Sequence, residues 1–115
     1  MISVGRQAFE QLVVQTLDDL PEPLARQMDN VVVTVEDRNR FEPTLLGLHE
    51  GIPLTERDDY GGLALPDVVT IYRLPLCEMC RSLDHLREQV HITVIHELAH
   101  HFGIDDERLT ELGWD

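Results

Sequence analysis

Val90, Ile92, Val94, Ile95, Leu98, Ala99 and Phe102 fall within thirteen residues, and at about 100° per residue they cover nearly the whole circumference of a helix. A helix that is apolar all round is a buried one, so the rest of this chain has to be arranged about that segment. Ser82 or Asp84 supplies its N-cap, and Gly103, able to take a positive φ, ends it after about Phe102. Polar His96, Glu97 and His100 lie in the same stretch, where an unpartnered polar or charged group is costly to bury. Their presence calls for a compensating partner.

The spacing His96-Glu97-Leu98-Ala99-His100 suggests what that partner is. Four residues turn a helix by about 400°, so both imidazoles project from one face a turn apart, and one nitrogen of each can reach a single Zn2+ at about 2.0–2.1 Å. Glu97 lies about 100° round from His96, beside such a metal, where it can take a proton from water. A catalytic zinc takes three protein ligands and keeps a fourth position open, so a third ligand has to come from outside the helix. Gly103 lets the chain reverse, which makes Asp106 the candidate; Asp105, one residue away, is its rival, and Glu111 is a more distant one.

The remaining sequence reads as a single domain over residues 1–115, with no internal repeat. Phe9, Leu12, Val13, Thr16 and Leu17 recur at helical spacing, which predicts an amphipathic helix from Gly5 to about Leu17, closed by Pro21 and Pro23, with its stripe packed on a sheet. Leu24 to Met28 adds a helical turn, and the β-branched run from Val31 to Val35 predicts a buried strand. A polar loop follows, then a short strand from Leu45 to His49 that ends near Gly51, with Gly47 marking a bulge or a close approach. Residues 53–66, rich in turn formers and acidic groups, read as a mobile surface loop, and Val68 to Tyr72 as a third strand. A short helical piece after Pro75 holds the cysteines.

Nine Arg, no Lys and 22 acidic residues give a formal charge of −13, whose field repels phosphate backbones and anionic lipid, so neither nucleic acid nor membrane is an expected partner. The N-terminal residues lack a basic segment followed by an apolar run, which predicts a cytoplasmic protein. Cys77 and Cys80 form a lone C-x-x-C with no second pair and no βαβ pattern before it; they read as reduced, unliganded thiols. His101 points about 100° away from His100 and reads as a hydrogen-bonded structural residue. His49, His85 and His91 read as surface or satisfied core histidines.

The stretch His96-Glu97-x-x-His100-x-x-Gly103-x-x-Asp106 resembles metzincin-type zinc peptidases, with Asp where many have a third His. It is more similar to the small bacterial zincin-like metallopeptidases, which Leu46-Gly47-Leu48, Leu54-Thr55-Glu56-Arg57 and Ile71-Tyr72-Arg73 also resemble. The resemblance implies a minimal α+β zincin fold: a small mixed sheet packed on the N-terminal helix and on the buried motif helix, with an edge strand to hold an extended peptide. It implies His96, His100 and Asp106 as zinc ligands, Glu97 as the catalytic base, and a peptide or protein as substrate. Two departures stand out. The methionine turn of larger metzincins has no counterpart after Asp106, since Met1, Met28 and Met79 all lie upstream, and the lower half of their cleft is missing. Two functions suit these residues: amide-bond hydrolysis by zinc-activated water, or zinc-assisted capture of a peptide or protein without turnover.

Overall fold

The computed structural model describes residues 1–51 and 67–114, so the loop expected at 53–66, with Tyr60 and the Leu54-Thr55-Glu56-Arg57 segment, lies outside the described residues. The described elements, in chain order, are α1 (Arg6–Asp18), α2 (Glu22–Ala25), β1 (Val31–Glu36), β2 (Gly47–Glu50), β3 (Asp67–Tyr72), α3 (Arg73–Met79), α4 (Leu83–His101) and α5 (Asp106–Leu112). The protein is thus α+β, with a small mixed sheet among its helices.

The sheet has the order β1-β3-β2. β1 runs parallel to β3 in the register Val33↔Val69, and β2 runs antiparallel to it in the register His49↔Val69. The central place therefore goes to β3, and its Val69, Thr70, Ile71 and Tyr72 are all buried. The expectation of a buried β1 is corrected here. Among the described strands β1 lies at an edge of the sheet, only its Val35 is buried and Val32 is 48% exposed, because a β-branched run signals a strand but not its rank in a sheet. β2 begins at Gly47 rather than Leu45, since Leu45 N–H donates instead to Glu42 C=O in the preceding turn.

α1 places Phe9, Leu12, Val13 and Thr16 inward, as its periodicity predicts, but the expectation that this stripe packs on the sheet is corrected: its main contact is α4, which lies between α1 and much of the sheet's core surface in the shared core. Ser82 caps α4 by accepting from His85 N–H. α4 also contacts β2, β3, α3 and α5, and its Leu86, Val90, Val94 and Leu98 join Phe9, Leu12, Val69 and Ile71 in the main core. Ile95 and Ala99 turn to a second cluster with Leu24 and Leu109. Two apolar flanks explain why the sequence looks apolar all round. The expectation that His96, Glu97 and His100 are buried is corrected: the imidazoles are 40% and 41% exposed, and Glu97 is partly so. The described elements cover the flanks of this 19-residue helix and leave this strip open.

Candidate metal centre

The site grows out of the end of α4. Gly103 takes φ +79°, its N–H donates to His100 C=O at 3.1 Å, and Ile104 N–H donates to Ala99 C=O at 2.8 Å. These two bonds make a Schellman turn, which satisfies the last carbonyls of the helix and sends the chain back alongside it. Ile104 and Phe102 then pack on the cluster of Leu24, Ile95, Ala99 and Leu109, which holds α5 against α4.

Asp105 sits at the N-cap of α5 and its Oδ1 accepts from Arg108 N–H at 2.8 Å. Asp106, the first residue of α5, faces the other way. Its Oδ1 stands 3.2 Å from His96 Nε2 and 3.0 Å from His100 Nε2. The two imidazoles meet edge to face with centroids 4.2 Å apart. Glu111 is held by Arg108, whose guanidinium donates to it at 3.0 Å. Of the three carboxylates weighed from the sequence, the fold brings Asp106 to the histidines.

This donor set fits a divalent transition metal. Four ligand atoms arranged tetrahedrally around zinc at about 2.0–2.1 Å lie about 3.3 Å from one another, and the oxygen-to-nitrogen separations here are within a few tenths of an ångström of that. The ligand atoms of His96, His100 and Asp106 all lie within 4.8 Å of one another.

Glu97 and His96 border a cavity of about 650 Å3, whose opposite wall is the chain from Thr44 through Leu46 into the start of β2 at Gly47. Thr93 and Gln89, one and two turns back along α4, line it as well. Gly47 is where the two walls come closest: a Cβ there would lie 3.0 Å from both Glu97 Cγ and Thr93 Cγ2. The glycine in this strand thus marks a close approach, one of the two readings its sequence position allowed. Among the described residues β2 pairs on one side only, with β3, and its first residue, Gly47, lines the cavity.

Cys77 and Cys80 are free, buried thiols, and burial, the largest influence on each, raises their pKa and keeps them protonated. His85 Nδ1 accepts from Arg81 N–H at 3.4 Å near the start of α4, and His91 is partly exposed on the same helix. His101 is buried and hydrogen-bonded, at 3.0 Å from His49, in keeping with the structural reading of its position. His49, half-buried and hydrogen-bonded to His101, likewise fits the reading of a satisfied histidine. With His101 and Asp67 it forms a second cluster of potential metal ligands, which sequence reasoning missed. No local spacing announces it, because its members come from β2, β3 and α4.

Residues 28–114 match the zincin-like metallopeptidase family. The chain belongs to that family. The matched span takes in the whole described sheet and α3 to α5, and so every residue of the centre described above. This zincin-like protein is also similar in structure to a conserved hypothetical protein from Thermus thermophilus, with a TM-score of 0.57 and 24% identity over 96% of this chain and 100% of that one, a likeness that speaks to the fold. No curated protein matches the chain. Among the described residues no helix is long and apolar enough to cross a membrane.

Proposed function

We propose that this zincin-like protein is a zinc-dependent peptidase in which His96, His100 and Asp106 hold the metal and Glu97 is the general base. The observation that carries the reading is the position of Asp106 Oδ1, within 3.2 Å of both Nε2 atoms and just beyond the turn at Gly103 that reverses the chain. Membership of a metallopeptidase family supports it, and so does the open strip of α4, which gives a substrate access to the imidazoles.

Zinc, when bound, supplies a Lewis acid that polarises a carbonyl and acidifies water. The chain's own residues do the rest. Glu97, next in sequence to His96 and bordering the same cavity, accepts the proton of the attacking water on its carboxylate and passes it to the leaving amine. The edge of β2 left unpaired among the described residues pairs with an extended peptide through backbone hydrogen bonds, laying the scissile bond between the strand and α4. Residues 44–47 and Ile92 give that peptide an apolar wall with polar Thr44, Gln89 and Thr93 set into it.

The test is a screen of peptide cleavage by zinc-loaded wild-type protein and by Glu97→Gln, with zinc content measured in both. Cleavage by the wild type and its loss in a variant that keeps its zinc support the reading. A loaded wild type that binds peptides and releases them uncut overturns it in favour of a capture module.

A further inference from the structure

The second cluster lies one residue beyond the first along α4. His101, about 100° round the helix end from His100, has its Nδ1 3.0 Å from His49 Nε2 and its Nε2 3.3 Å from Asp67 Oδ2, while His49 Nε2 is 3.8 Å from Asp67 Oδ1. The side chains of His101 and Asp67 are each 1% exposed, and that of His49 is 22% exposed. We propose that His49, Asp67 and His101 form a second, structural site for a divalent transition-metal ion, which binds Zn2+ and clamps the end of α4 to the sheet.

Two observations carry this. The donor types are those of the first centre, two imidazoles and one carboxylate, with the rings again edge to face, here at 4.7 Å between centroids; the two nitrogens of His101 face different partners, so one of them serves as the ligand, and one ligand atom of each residue lies within 4.8 Å of the others. The backbone is also shaped around the carboxylate. Gly51 follows β2 in register with the start of β3, and a Cβ at Gly51 would fall 1.9 Å from Asp67 Oδ1, so only glycine lets the chain close over that side. Solvent then reaches the cluster on the His49 side.

The three ligands come from β2, β3 and α4, so a bound ion ties both strands to the helix end that carries His100. The role is one of positioning: the ion fixes the end of α4 without touching a substrate.

Metal stoichiometry tests the inference apart from any activity. Full-length protein is stripped with a chelator, refilled with Zn2+, desalted and analysed for metal per chain, as wild type, His96→Ala, His49→Gln and Asp67→Asn, with circular dichroism to verify each fold. The expected result is two equivalents in the wild type and one in each variant. His49→Gln keeps the measurement decisive if Asp67→Asn fails to fold, since His49 is partly exposed on an edge strand. One equivalent in the wild type that His49→Gln retains overturns the inference and leaves a hydrogen-bonded chain in place of the ion. One equivalent that His49→Gln loses and His96→Ala retains supports the second site and overturns the first, so the two readings fail separately.

Discussion

Asp106 Oδ1 stands 3.0 Å from His100 Nε2 although the two residues belong to different helices. What joins them is the turn at Gly103, whose φ of +79° a residue with a Cβ adopts only at a cost of about 1 kcal/mol. The same turn separates two adjacent aspartates by function. Asp105 is spent on the backbone of α5, which frees Asp106 to face α4.

Substitutions at this pair should therefore have opposite effects. Asp105→Ala loses a helix cap and is expected to lower stability by about 1 kcal/mol in urea denaturation while zinc binding persists. Asp106→Ala is expected to leave the stability of metal-free protein within about 0.5 kcal/mol and to weaken zinc binding beyond the roughly 10–100-fold expected of an outer-shell residue. Zinc affinity lost through Asp105 and kept without Asp106 would reverse the assignment.

Gly47 predicts a different split. A methyl group there meets Glu97 Cγ and Thr93 Cγ2 at 3.0 Å, so Gly47→Ala forces β2 away from α4 or displaces Glu97. Overpacking of this kind costs about 1–3 kcal/mol. The expected outcome is a lower denaturation midpoint and a fall in peptide cleavage larger than any loss of zinc, read by assaying activity at measured metal content.

The buried thiols set an alkaline limit on stability. Burial raises the pKa of Cys77 and Cys80 above the ordinary thiol value of 9.0, so the folded protein holds protons that the unfolded chain releases. The unfolded state then binds fewer protons, and stability falls as pH rises. The full contribution is present below the unfolded thiol's pKa and is lost as pH climbs past it through the folded value. Urea midpoints measured across the alkaline range should decline less steeply in Cys80→Ala than in the wild type, and both native thiols should react slowly with disulfide reagents at neutral pH. A native thiol that reacts as fast as a free one would contradict the burial account.

Much of the first centre is local and could be read from the chain. The four-residue step from His96 to His100, the neighbouring place of Glu97 and the glycine that ends the helix all follow from the 3.6-residue period and from the preference of positive φ for glycine. The outline of α1 and α4 and the three described strands were legible for the same reason, since hydrophobic period is a property of successive residues, while the α+β class came with the resemblance to small zincin-like metallopeptidases.

What stayed open depends on residues far apart. Val31 to Val35 announce a strand, yet only its pairing, among the described residues with β3 alone, makes β1 an edge. The exposure of His96 and His100 depends on which flanks of α4 the other elements reach, and the choice of Asp106 over Asp105 on how α5 docks against Leu24, Ile95 and Ala99. The meeting of His49, Asp67 and His101 is the clearest case. Each residue's chemistry, and the helix that carries His101, follow from the order of amino acids alone. Strand register and helix packing, acting across the 52 residues from His49 to His101, brought the three into one space.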